Sequence, residues 1–106
     1  MFIRFVVLAI LFITPVDVTA QQWRTLYEPL VSQEIPCRVM KPIRMEAGKK
    51  YPVILSLHGA GGKGTDNRKQ LKQWNQQLAE RGRRTRFPCY VVAPQAPGLW
   101  NAQHFK

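Results

Sequence analysis

An apolar strand that runs straight into a cluster of glycines constrains this chain more than any other feature. The strand is "YPVILSL", Tyr51–Leu57, and it leads into His58 and then four glycines between positions 59 and 64. Val53, Ile54, Leu55 and Leu57 are interrupted only by Ser56. That pattern predicts a strand covered on both faces of a parallel sheet. Three chemistries use a glycine-rich turn at the end of a strand: dinucleotide binding, phosphate cradling and oxyanion stabilisation.

The flanking segments supply the rest of an α/β unit. After the glycines, Asp66 or Asn67 can cap a helix by accepting its free first-turn amides. Leu71, Trp74, Leu78 and Ala79 fall on one helical face, and Lys69, Lys72, Gln73, Gln76 and Gln77 lie off it. Gly82 is the expected stop. A second buried-type strand follows over Cys89–Ala93, ended by Pro94 and Pro97. Upstream, Ile35–Ile43 has strand composition, with Pro36 and Pro42 near its ends, and "RMEAGKK" reads as a polar turn. The order strand, strand, glycine loop, helix, strand predicts an α/β fold with a mainly parallel sheet. Gln21–Gln33 reads as irregular.

The first twenty residues read differently. Arg4 precedes an apolar run from Phe5 to Ile13, and Val18-Thr19-Ala20 is a small-x-small cleavage site. This is the layout of a secretory signal peptide, too short to span a bilayer comfortably. Residues 1–20 are therefore expected to be removed, leaving 21–106 as one secreted or periplasmic unit with no membrane contact beyond that segment. A unit of this length is marginal as a core, burying only about 60–65% of its unfolded surface.

Charge adds one alternative. Sixteen Lys and Arg against six Asp and Glu give a net charge of +10. The basic residues are spread along the chain except for "RGRRTR", Arg81–Arg86. Clustered cations can bind phosphates non-specifically, but a solvated loop after the helix explains the cluster as well. No specific nucleic-acid partner is expected. The two cysteines, Cys37 and Cys89, match no zinc or redox spacing. In an exported protein they can pair, and as two strand residues they can equally be buried free thiols.

The three glycine-loop chemistries do not fit equally. Gly59, Gly61 and Gly64 satisfy G-x-G-x-x-G between a strand and a helix, which is the dinucleotide context. That fingerprint also wants an acidic residue at the end of the next strand. Here the strand ends Val92-Ala93-Pro94-Gln95. The phosphate loop fails, because Leu57 stands at its first glycine and Gly64, not Ser or Thr, follows Lys63. An oxyanion loop accounts for more. Glycines let its backbone turn and approach a substrate carbonyl closely, and a main-chain N–H then faces the developing negative oxygen.

"KKYPVILSLHGAGGKGTDNRKQL" resembles the start of an exported bacterial esterase and predicted-peptidase group of α/β-hydrolases. That group is related to the phospholipase/carboxylesterase, dienelactone hydrolase and prolyl-oligopeptidase-like enzymes. The resemblance rests on Tyr51-Pro52, the His58–Gly64 loop, Asp66-Asn67, Val92-Ala93-Pro94-Gln95 and Trp100, in that order, and covers roughly Lys41 to Trp100. It implies that Ala60 is the oxyanion-hole donor through its N–H and that Gly61 lets the loop turn. It also implies that His58 braces the loop, as do Asp66 and Asn67 beside their capping role. The implied activity is serine acyl hydrolysis of a small ester or peptide, with no cofactor and no metal. The alternatives are a non-catalytic basic binding protein and a dinucleotide-binding protein that uses Gly59, Gly61 and Gly64.

No G-x-S-x-G nucleophile elbow is present. The only serines are Ser32 and Ser56, and the only histidines are His58 and His104. The triad cannot be assembled from these residues. The expectation is therefore an N-terminal portion of an α/β-hydrolase domain, inactive alone.

Overall fold

The chain was analysed as a computed structural model that describes residues 22–30 and 34–106. The expected signal segment and Ser32 lie outside the described residues. Four strands form one sheet: β1 (Glu28–Pro29), β2 (Cys37–Met40), β3 (Val53–Leu55) and β4 (Tyr90–Pro94). They stand side by side in the order β1-β2-β4-β3.

Connection length explains the strand directions. β1 and β2 lie close in sequence and run antiparallel, with Glu28 opposite Val39. Parallel neighbours need a long crossover. The β3-to-β4 connection supplies one, and these two strands run parallel, with Val53 opposite Tyr90 and Leu55 opposite Val92. β4 meets β2 antiparallel, with Met40 opposite Val91. The sheet is thus mixed, and the expectation of a mainly parallel sheet is corrected: one of its three pairings is parallel.

Strand β4 lies between two neighbours, and Val91 and Ala93 are fully buried. They pack with Tyr27, Met40, Leu71 and Ala79 into the core, against which Trp23, Leu78 and Cys89 are also packed. β3 stands at the sheet edge. Its residues read as two-face buried, yet Val53 is 61% and Leu55 51% exposed. Among the described residues nothing covers its outer edge.

The crossover differs from a single helix capped at Asp66. Asp66 Oδ1 accepts the N–H groups of Arg68 and Lys69 at 3.1 and 3.2 Å, which holds a turn there. Asn67 sits in the left-handed region at φ 55°. Regular helix starts only at α1 (Gln73–Leu78), whose N-cap is Lys72. Glu80 is then non-helical at ψ 132°, and α2 spans Arg81–Arg86. Gly82 is therefore inside a helix and not its stop, and "RGRRTR" is helical and not a loop. Arg84 donates to the Lys41 carbonyl at 3.1 Å, and Arg83 lies 3.5 Å from Glu80.

Leu71, Leu78 and Ala79 point to the core as their spacing predicts, whereas Trp74 is 43% exposed. The 21–33 segment was expected to be irregular. It delivers Tyr27, fully buried, whose hydroxyl donates to the Asn75 carbonyl at 2.7 Å. Burial pushes the Tyr27 phenol up to about 12. Cys37 and Cys89 are free thiols, both pushed up by burial.

Candidate functional site

Three residues of the β3 exit set the start of the glycine loop. Ser56 is buried, and its N–H extends the pairing with β4 by donating to the Val92 carbonyl at 2.8 Å. Its Oγ accepts two hydrogen bonds at 2.9 Å, from Trp74 Nε1 and Asn75 Nδ2. That hydroxyl is therefore part of the packing. Leu57 follows, 42% exposed, and then His58, 4% exposed.

His58 is bound on several sides. Its Nε2 accepts the Ala96 N–H at 2.9 Å, and its Nδ1 lies 2.6 Å from the Gly59 carbonyl. A neutral ring protonated at Nδ1 satisfies both contacts at once, because Nε2 must offer a lone pair. Trp100 Nε1 donates to the His58 carbonyl at 2.9 Å, and its ring lies 4.7 Å from the imidazole. Gly62 closes over the same imidazole. A Cβ at position 62 would stand 2.4 Å from His58 Cβ, so only glycine fits there.

Between these fixed points, Ala60–Gly62 form one 3-10 turn, closed by the Gly62 N–H on the Gly59 carbonyl at 3.0 Å. The first N–H groups of such a turn have no partner within it. Gly59 supplies no side-chain cap, and among the described residues the Ala60 and Gly61 N–H groups meet no acceptor. Both residues are exposed. A Cβ on Gly59 would meet nothing within 4 Å, and one on Gly61 only the Lys72 ammonium, at 3.6 Å. Packing alone demands glycine at 62 but not at 59 or 61. The turn is exposed at Ala60 and Gly61, two adjacent residues whose N–H groups meet no acceptor among the described residues.

Gln95, fully buried, holds the loop from behind. Its Nε2 donates to the Gly62 carbonyl at 3.0 Å and to Asp66 Oδ1 at 2.8 Å. Its Oε1 accepts the Asn67 N–H at 2.6 Å. Gly64, at φ 148°, donates its N–H to the Ala96 carbonyl at 2.9 Å. Asn67 joins the loop to β2: its Nδ2 donates to the Cys37 carbonyl at 3.2 Å, and its own carbonyl accepts Arg38 Nε at 2.7 Å. Its Oδ1 accepts from buried Gln70.

The Gln95 amide, followed by the Lys69 and Arg68 backbone N–H groups, stabilises the Asp66 carboxylate and holds it at about 2, below its ordinary 3.8. The folded value is the lower one. The anchoring is therefore complete above pH 3.8 and is lost as pH falls through about 2. Carbon-detected NMR titration should show the Asp66 carboxyl changing at that low midpoint. Asp66→Asn should remove this acid limb from the exchange rates of the loop amides. An ordinary carboxylate midpoint would show that Gln95 does not hold Asp66 in solution.

Sequence reading assigned no role to Gln95, Asn75 or Lys72. Gln95 carried a weak signal, an amide directly after a buried strand and Pro94. Asn75 and Lys72 carried none, because helical periodicity treats polar residues as outward.

The fold of this chain is similar to that of a thermostable esterase. The crystal structure of that esterase matches with a TM-score of 0.63 and 29% sequence identity, over 72% of this chain and 22% of the esterase chain. This chain therefore spans about a fifth of the esterase's length. No family model matches the chain, and no curated protein matches it. The likeness and the mixed four-stranded sheet support a hydrolase-like α/β fold.

Proposed function

We propose that this chain is the N-terminal portion, residues 21–106, of an exported serine hydrolase that acts on an ester or peptide. In this reading residues 1–20 direct secretion to the periplasm or medium. The loop His58–Gly64 supplies the oxyanion hole, with the Ala60 N–H as donor and Gly61 beside it. The observation that carries the reading is the Ala60 N–H, which meets no acceptor among the described residues, on an exposed turn braced from behind. His58, Asp66 and Asn67 keep that turn in place and take no part in proton transfer.

The chemistry follows from the donor. A serine hydroxyl adds to the substrate carbonyl, and the carbonyl oxygen takes up negative charge. A fixed N–H aimed at that oxygen stabilises it without reorganising during the reaction. The serine, its histidine and its acid come from polypeptide outside this sequence, since Ser56 Oγ is engaged with Trp74 and Asn75.

The test has two arms. The 106-residue chain alone should hydrolyse p-nitrophenyl acetate no faster than background. The polypeptide that carries this chain together with a G-x-S-x-G elbow should turn it over. Turnover by the short chain that survives removal of both Ser32 and Ser56 would overturn the reading, as would a longer gene product lacking any serine elbow.

A further inference from the structure

We propose that Lys72 is a positioning residue for the oxyanion turn, an inference that rests on the acyl-hydrolase reading above. The peptide between Gly61 and Gly62 has no Cβ on either side, so sterics hardly oppose its rotation. Two hydrogen bonds fix it. Its N–H donates to the Gly59 carbonyl at 3.0 Å, and its carbonyl accepts Lys72 Nζ at 3.0 Å. The second bond comes from a cation, which strengthens it.

The root of Lys72 is fixed as firmly as its tip. Its backbone N–H donates to Asn75 Oδ1 at 2.8 Å, and its carbonyl accepts the Asn75 and Gln76 N–H groups at 3.0 and 3.2 Å. Asn75 is fully buried, and its Nδ2 donates to Ser56 Oγ at 2.9 Å. Ser56 is itself paired with β4. A continuous series of bonds thus leaves the strand at Ser56, passes through Asn75 and Lys72, and returns to the loop at Gly61. Its effect is to keep the Gly61 carbonyl turned toward the lysine. If that peptide flips, the carbonyl oxygen swings away from Lys72 and repels the anion the turn would otherwise bind.

Lys72→Met keeps the aliphatic stem and removes the donor. In the full-length enzyme it should lower kcat for p-nitrophenyl acetate about tenfold, the scale of one charge-assisted hydrogen bond at a partly exposed site, with KM changed less than about twofold. Hydrogen exchange at the Gly62 amide should speed up by a similar factor, while the α1 amides keep their protection. Lys72→Arg, which retains a cationic donor, should restore most of both, and it serves as the reference if the methionine variant folds poorly. Unchanged Gly62 exchange in Lys72→Met, or a kcat loss that arginine does not rescue, would overturn the proposal. An Ala60→Pro enzyme of normal kcat would instead take the Ala60 N–H out of the oxyanion hole. The Gly62 exchange rate would still report whether Lys72 holds the turn.

Discussion

Ala60→Pro should lower kcat for ester hydrolysis by about two to three orders of magnitude in the enzyme that carries this chain, the usual loss for one oxyanion donor. Proline removes the N–H and leaves the carbonyl in place. A side-chain change would test little, because the donor is main chain. The backbone accepts the substitution: Gly59 is extended at φ −85° and ψ −164°, the kind of backbone a residue before proline favours. Position 60 opens a 3-10 turn, where the N–H is unpaired within the turn and a fixed φ costs little. KM should change less than kcat, since the contact strengthens only as charge develops. Circular dichroism and the melting temperature should match the parent. A folded Ala60→Pro enzyme with near-normal kcat would take Ala60 out of the mechanism.

Gly62→Ala should be the most destabilising single-methyl change in the loop. The new Cβ would lie 2.4 Å from His58 Cβ and 2.6 Å from Cγ. His58 cannot move aside cheaply, because the Ala96 N–H and Trp100 hold it. Overpacking of this kind costs about 1–3 kcal/mol. In a unit of this size that lowers the melting temperature by roughly 5–20 °C. The cause is checked by a double-mutant cycle: with His58→Gly already present, which removes the Cβ as well as the ring, Gly62→Ala should cost much less. A Gly62→Ala protein that melts with the parent would show that the loop is not packed on the imidazole.

Local signals were legible, and long-range ones were not. The apolar runs located β3 and β4, and Pro36 and Pro42 bracketed β2. The glycines marked the turn that follows β3. Nothing local indicated that β4 would insert between β2 and β3. That order depends on which strands meet across tens of residues. It also left β3 at an edge, although its composition suits an interior strand. The helix was misread because Asn67 takes a left-handed φ, held by bonds to Gln95, Cys37 and Arg38 that no period reveals, and because Glu80 interrupts the spiral. The candidate site was half legible. Glycine spacing pointed to the turn, but three polar residues that support it, Gln95, Asn75 and Gln70, are buried. A rule that sends polar side chains outward cannot find them. Their amides are inside because each finds a partner there: Gln95 donates to the Gly62 carbonyl, Gln70 to the Ala93 carbonyl and Asn75 to the Ser56 hydroxyl.

The bonds that brace the glycine turn set the order in which it can form. His58 is held by Ala96 and Trp100, 38 and 42 residues further along the chain, and Gly62 by Gln95, 33 residues away. Each closes a long loop, whose entropy must be overcome before any of these contacts form. During synthesis the glycines leave the ribosome well before their supports. A nascent chain that has reached Lys72 contains every residue of the turn and none of the three clamps. The donors become fixed only when β4 has paired and the segment through Trp100 has folded back, so the turn takes shape late in folding although it lies in the middle of the chain.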